Sequence, residues 1–304
     1  MLQYLDETYD KKRSSRVKML YFETIKDPGR LLRHATSLIA KGCQIAAIKA
    51  GTTEAGSRAA SSHTGAMANP DMAVDALFRK AGIVRCFGRE ELTTVASVMQ
   101  HPPLKGKNLA IITHAGGPAV MLTDQLAKGN MDVPRLEGPR VDELLTFLFP
   151  GSSASNPIDM LAPGNAEQLG KSIDFCEHPF EESHGIVVIF GTSGLFPVFD
   201  VYELLVQKMQ ECSKPIYPVL PSTTTAAREV EAFLSQGTIY FPDEVQLGEA
   251  LTRIYGTEAP AGEISTPGGM DLPAIQALMD GNKEGYLPPE KIQKILDAAG
   301  IPRV

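Results

Sequence analysis

Residues 108–129 read NLAIITHAGGPAVMLTDQLAKG. From Leu109 to Ile112 the run is apolar without alternation, as in a strand buried on both faces of a sheet. Gly116 and Gly117 then break it. The next residues carry apolar side chains at helical spacing, with Pro118 in the first turn and Gly129 at the end. A buried strand that turns through glycines into a helix is half of a βαβ unit, and βαβ units build parallel sheets.

The same punctuation recurs in both directions. Upstream, residues 17–23 (VKMLYFE) predict a strand, and a helix follows Asp27-Pro28-Gly29 and stops at Gly42. Residues 44–50 predict a second strand, 51–69 a glycine- and hydroxyl-rich loop, 69–82 a helix, 83–87 a third strand and 89–100 a helix. Residues 101–107 have the composition of a linker. Downstream of the opening stretch, short strands are expected within 130–136, at 156–161, 184–191, 215–220 and 238–241. Helices are expected at 139–149, 165–177, 199–212, 223–236 and 243–255. Strand–helix alternation without hairpin signals predicts an α/β protein with two doubly wound, flavodoxin-like parallel sheets. The expected domains are 1–103, 104–257 and a tail, 258–304. The tail opens as a Gly/Pro-rich linker and then starts a fresh helical pattern.

Composition narrows the function classes. A net charge of −7 over 304 residues argues against a non-specific nucleic-acid binder, which needs a basic field. It does not exclude a small phosphorylated ligand held by local donors. Cys43, Cys86, Cys176 and Cys212 form no CxxC pair. They read as buried or idle thiols of a reducing compartment rather than a disulfide frame or zinc site. No apolar run approaches the ~20 residues that cross a bilayer. The charged N-terminus is not a signal peptide. These features point to a cytoplasmic protein, with no membrane or nucleic-acid partner and no metal.

Two stretches carry candidate chemistry. The Gly116-Gly117-Pro118 turn offers helix amides without internal partners at the positive end of a helix dipole, which is an anion site. A tight βα turn explains the same residues without a ligand. The second stretch, Ala59–Ala66, reads AASSHTGA and holds His63 among small residues that cannot pack an imidazole. An exposed loop histidine is one reading. A base for Ser61 or Ser62 is disfavoured because adjacent side chains rarely reach nucleophile–base geometry. No second ligand lies at metal spacing. A phosphoryl-accepting histidine remains, and it needs an acceptor on its other ring nitrogen. Glu23 is a candidate, since it ends the first strand at the sheet edge where ligands collect in this fold class. A solvated charge at a strand end is the alternative.

Taken together, YFETIKDPGRLL, AAIKAGTTEAGSRAASSHTGAMANPDMAVDALFRKAGIVRC, LAIITHAGGPAVMLTDQLAKG and SNPIDML resemble the NDP-forming acyl-CoA synthetases, relatives of succinyl-CoA synthetase. The resemblance runs over about residues 17–255 and the hinge after it. It implies an acid–thiol ligase that makes acid, CoA and ATP from acyl-CoA, ADP and phosphate. It also implies a phosphohistidine at His63, held by Glu23. The implied phosphate-binding residues are Gly116, Gly117, Pro118, Ser62, Thr64 and Gly65. CoA, ADP or ATP, and phosphate would be substrates rather than tightly bound cofactors, with Mg accompanying the nucleotide in an ATP-grasp domain. The family's CoA-binding and ATP-grasp domains have no counterpart in this sequence, apart from an apparent start at GYLPPEKIQKILDAAGIPRV. They are therefore expected partners, in cis or in trans, within an oligomer, and the ligase is expected to be incomplete alone. Two residues depart from the pattern. His114 stands where the family often has asparagine, and Thr52 where it usually has arginine, although Lys49 and Arg58 keep positive charge nearby. The rival readings are the regulatory region of a protein acetyltransferase and a non-catalytic module sensing phosphate or CoA.

Overall fold

The computed structural model describes residues 1–64, 70–192, 197–260, 269–280 and 286–302, with the side chains of 60–64 outside that description. It divides into two compact units, Met1–Pro260 and Ala261–Val304.

The first unit opens with α1 (Leu2–Glu7), β1 (Val17–Phe22), α2 (Pro28–Ala40), β2 (Gln44–Lys49), α3 (Glu54–Thr64), α4 (Asp71–Ala81), β3 (Val84–Cys86) and α5 (Arg89–Gln100). α1 was not foreseen, because the N-terminal charges mask a single turn or two of helix. Asp27 caps α2 by accepting from the Arg30 amide at 2.8 Å, ahead of Pro28 at the first helical position. Gly82, at φ 71°, closes α4 in the left-handed conformation. The three strands pair in parallel in the order β1-β2-β3.

The chain continues through β4 (Leu109–Thr113), α6 (Gly116–Lys128), α7 (Pro139–Leu145), β5 (Ile158–Asp159), α8 (Ala166–Glu177), β6 (Gly185–Ile189), α9 (Phe199–Glu211), β7 (Ile216–Val219), α10 (Ala227–Ser235) and α11 (Glu244–Tyr255). Its parallel strands run β5-β4-β6-β7, and Phe241 adds a parallel bridge to Val219 at the outer side of β7. That is a flavodoxin-like order. The expected strands within 130–136 and at 238–241 reduce to single bridges at Asp132 and Phe241.

Three apolar clusters hold the unit together. One packs α1, α2 and α4 on one face of the first sheet, around Leu20, Leu38, Ile45 and Phe78. Another covers the outer face of the second sheet with α8, α9 and α10. The third joins the two sheets. Ile48 and Val84 of the first sheet and Leu109 and Ile111 of the second share it with Val95 of α5, Leu122 of α6 and Leu247 of α11. β4 and β6 are buried at every position, which is why their sequences do not alternate.

The second unit contains α12 (Leu272–Met279) and α13 (Pro289–Ala298). Asp271 caps α12 through the Ala274 amide at 3.0 Å, and its own amide donates to the Ala298 carbonyl at 2.7 Å.

Candidate functional site

The C-terminal edge of the first sheet holds Glu23 and the start of the segment that leads to His63. β1 ends at Phe22 and Glu23 follows it, exposed. The neighbouring parallel strand β2 ends at Lys49. Gly51, at φ 74°, then turns the chain into α3. Here the structure corrects the expected loop at 51–69: residues 54–64 are helical, and His63 sits in the last turn of α3. The reason is local. Thr53 acts as an N-cap, its Oγ1 accepting from the Gly56 amide at 3.1 Å. The Ser57 hydroxyl donates to the Gly51 carbonyl at 3.0 Å. Arg58 pairs with Glu54 one turn back at 2.7 Å, and Ala55, Ala59 and Ala60 favour helix. The small residues that suggested a loop are also good helix formers once a cap is present. The side chains of Ser62, His63 and Thr64 and the whole of Gly65 lie outside the described residues.

Lys49 is not a free surface cation. Only 2% of it is exposed, and its Nζ donates to the Ala50 carbonyl at 2.5 Å. Burial lowers its pKa, the Asp71 carboxylate opposes that, and the Arg85 guanidinium adds to it. Arg85 is itself buried and bonded to Asp71 and, at 3.1 Å, to Asp75. This charged layer under the sheet edge escaped the sequence reading. Its signal was the Asp71/Asp75 pair one helical turn apart, facing a lone arginine in an otherwise apolar strand.

The second candidate site lies at the C-terminal edge of β4. Thr113 Oγ1 donates to the Ala115 carbonyl at 2.9 Å and accepts from the Ala115 amide at 3.0 Å, which fixes the turn into α6. α6 starts at Gly116, and among the described residues no side chain caps its first amides. Gly116 and Gly117 are exposed and Pro118 is half-buried. A Cβ on Gly116 would stand 3.2 Å from Asp159 Oδ2, so glycine lets the carboxylate from β5 approach the helix end. Asp159 Oδ1 accepts from the Leu161 amide at 2.9 Å. The His114 ring stacks on Phe190 with centroids 4.3 Å apart. Its pKa is lowered by burial, partly offset by a hydrogen bond to the Ile189 backbone and by Asp159. Among the described residues its buried Nδ1 has no partner.

Asn156 has a role that sequence reading did not assign. Its Oδ1 accepts from the Ile111 amide at 2.9 Å, and its Nδ2 donates to the carbonyls of Leu109 at 3.0 Å and Pro134 at 2.9 Å. It closes the side of β4 that the two-residue β5 is too short to reach.

A cleft of about 680 Å³ opens between α5, α6 and α11 and is lined by Phe87, Glu91, Gln125, Gln246 and Arg253 among others. None of the residues nominated from sequence lines it. Among the described residues, no cluster of His, Cys, Asp and Glu fits a metal ion, and no helix is long and apolar enough to cross a membrane. Burial pushes the Cys86 and Cys176 thiols up to about 12 and the Cys212 thiol to about 11, so these remain protonated and unreactive.

Comparison with known proteins agrees with this architecture. The succinyl-CoA ligase like flavodoxin domain family matches residues 1–99. The acetate–CoA ligase (ADP-forming) II subunit alpha of Pyrococcus furiosus is 35% identical over 167 residues, covering 55% of this chain and 35% of its own. The corresponding type I subunit alpha of the same organism is 27% identical over 256 residues, covering 82% and 54%. In fold, the dinucleotide-forming acetyl-coenzyme A synthetase 1 of Ca. Korarchaeum cryptofilum, in complex with phosphate and ADP, matches with a TM-score of 0.73. That match has 24% identity and covers 84% of this chain and 55% of that one. The chain thus spans about a third to a half of the length of these relatives.

Proposed function

The chain belongs to the NDP-forming acyl-CoA synthetase family, and we propose that it forms the phosphoryl-relay portion of an ADP-forming acyl-CoA synthetase. The whole enzyme would convert acyl-CoA, ADP and phosphate into free acid, CoA and ATP. The observation that carries this reading is the departure of α3, with His63 in its last turn, from the strand beside β1, which runs out into Glu23.

In this reading phosphate displaces CoA from acyl-CoA to give an acyl phosphate. A ring nitrogen of His63 then attacks the phosphorus. An N–P bond forms, the P–O bond to the acyl oxygen breaks, and the acid leaves as its carboxylate. The other ring nitrogen keeps its proton and donates it in a hydrogen bond to Glu23, whose charge offsets the imidazolium that develops. The uncapped amides of Gly116 and Gly117, with donors from Ser62, Thr64 and Gly65, stabilise the phosphoryl oxygens. Pro118 pre-sets the first turn of α6. The phosphoryl group then passes to ADP. CoA and nucleotide are handled by CoA-binding and ATP-grasp domains or subunits, where Mg would accompany the nucleotide. The assembly is an oligomer in the cytoplasm.

The test is incubation with acetyl phosphate, followed by assay for protein-bound phosphate that is acid-labile and base-stable. The wild-type chain should label. His63→Ala should not, and Glu23→Gln should label at least ~10-fold more slowly with its melting temperature unchanged. Labelling that persists in His63→Ala refutes the assignment. Failure of the wild-type chain to label favours a sensing module.

A further inference from the structure

A smaller cavity lies away from the candidate site, at the opposite edge of the sheets. It holds about 230 Å³ between the end of α5, the connection at 101–104 and α11. Gln44, the first residue of β2, and Tyr217, the second of β7, line it, as does Leu104 ahead of β4. It therefore sits at the N-terminal ends of the strands, whereas Glu23 and Gly116 follow C-terminal ends. Val98 and Met99 of α5 and Leu251 and Ile254 of α11 make most of the remaining wall.

The wall carries no full charge. Among the described residues, no aspartate, glutamate, lysine or arginine lines the cavity. The Arg16 guanidinium is turned to other partners, its Nη2 donating to the Met99 carbonyl at 2.5 Å and to the His101 carbonyl at 3.0 Å. A charged occupant would leave water without gaining a counter-charge. The cavity therefore suits a neutral molecule.

His101 is the polar exception in this lining. It is only 6% exposed. Its Nδ1 lies 3.1 Å from the Ser97 carbonyl, one turn back in α5. A carbonyl only accepts, so Nδ1 carries the proton and donates it. Nε2 is then left as a lone-pair acceptor, on the edge of the ring that turns away from Ser97. Tyr217 and Phe241 pack against the ring, with centroids 4.9 Å and 5.7 Å away. Among the described residues, Nε2 is buried without a hydrogen-bond partner. Such a group bears its full desolvation cost, and native interiors rarely leave one without a purpose. The space beside it is much larger than the ~30 Å³ share of one water, and an apolar cavity of ~150 Å³ already holds a benzene ring.

We propose that this cavity is a binding site for a small uncharged alcohol or phenol, one ring or an equally compact branched chain in size, whose hydroxyl donates to His101 Nε2. Its hydrocarbon part fills the space among Val98, Leu104, Leu251 and Ile254. The site is separate from the phosphoryl relay and does not depend on it. Val98, Met99, Tyr217 and Leu251 belong to the cluster that joins the two sheets. An occupant thus ties α5 to α11 and stabilises that join by mass action.

The experiment titrates the full chain with phenol, and with benzene and anisole, which share its ring but carry no O–H. Binding is read from the rise in melting temperature and from the nitrogen NMR signal of His101 Nε2. Phenol should bind at least ~5-fold more tightly than either comparator, the worth of one acceptor satisfied. It should also shift the Nε2 signal. His101→Phe keeps an aromatic ring and removes the acceptor, so it should erase the preference for phenol. Ile254→Trp, which fills the cavity from α11, should abolish binding of all three probes, and it serves where the phenylalanine variant folds poorly. Four results overturn the proposal. The first is no stabilisation by phenol, with an Nε2 signal already that of a hydrogen-bonded nitrogen, which would give the cavity to water alone. The second is equal affinity for phenol and benzene. The third is a preference for phenol that survives in His101→Phe. The fourth is binding that Ile254→Trp leaves intact, which would place the probe elsewhere. None of these results bears on the labelling of His63.

Discussion

Replacing Asn156 with alanine should destabilise the first unit by about 3 kcal/mol, because three hydrogen bonds of about 1 kcal/mol each disappear at once. The Ile111 amide, on a residue with 0% exposure, loses the Oδ1 acceptor at 2.9 Å, and the Leu109 and Pro134 carbonyls lose their donor. β5 cannot take over, since it pairs only with Ile112 and Thr113. Leu109 already uses its amide on the Asp132 carbonyl at 2.9 Å. For a unit of this size about 3 kcal/mol corresponds to a fall of ~6–12 °C in melting temperature. Asn156→Asp makes a sharper test. It keeps an acceptor for Ile111 but turns a carboxylate towards two carbonyl oxygens, so at pH 7 it should cost more than the alanine. Its folded pKa should be raised, so its deficit relative to wild type should shrink as the pH falls towards 4. Urea unfolding of the three proteins at pH 7 and pH 4.5 measures all of this. A loss below ~1 kcal/mol for Asn156→Ala, or an aspartate variant milder than the alanine at pH 7, would refute the view that Asn156 stands in for strand pairing.

The join between α6 and α11 gives a second prediction. A Cβ on Gly129 would fall 2.2 Å from Thr252 Cβ, so Gly129→Ala should destabilise by about 1–3 kcal/mol through overpacking, read by the same unfolding assay. His101 gives a third. It lies between Tyr217 and Phe241, hydrogen-bonded through Nδ1 to the Ser97 carbonyl at 3.1 Å. Burial lowers its pKa, against the pull of backbone hydrogen bonds, with the Arg16 charge lowering it further. The unfolded chain therefore takes up a proton near pH 6.5 that the folded chain refuses. Stability should be fully present above that pH and fall as the pH drops towards the folded pKa. His101→Phe should flatten the dependence between pH 7 and pH 5, and an unchanged slope would show that another group controls it.

How far the sequence was legible depended on whether local chemistry and tertiary burial pointed the same way. At β4 and β6 they did: every residue is buried, the sequence is apolar throughout, and the flanking glycines mark the turns. At residues 54–64 composition alone misled. Glycine, serine and threonine suggested a loop, while the Thr53 cap and the Glu54–Arg58 pair made a helix. A capping hydroxyl three residues before an amide it can bind was the available signal. At Asn156 nothing local could have revealed the role, because its partners Leu109 and Ile111 are 47 and 45 residues away. An asparagine before proline reads as a turn residue until the neighbouring strand is known to be one partner short.

That distinction bears on the candidate site. Glu23, the start of α3 and Gly116 all follow parallel strands at their C-terminal ends. This follows from topology and was visible once two parallel sheets were inferred. Whether an imidazole at residue 63 functions there depends on what topology does not encode. Lys49 illustrates the difference. From sequence it was one of two positive charges remaining near the His63 stretch. In the fold its amine is buried against the Ala50 carbonyl, with Asp71 and Arg85 close by, below the edge where α3 departs. Its charge is therefore held in a fixed framework beneath that edge. The donors that the proposed relay assigns to the phosphoryl oxygens are backbone amides and hydroxyls. Such donors hold their positions without a counter-charge that must be released, which suits a residue that carries the group only briefly.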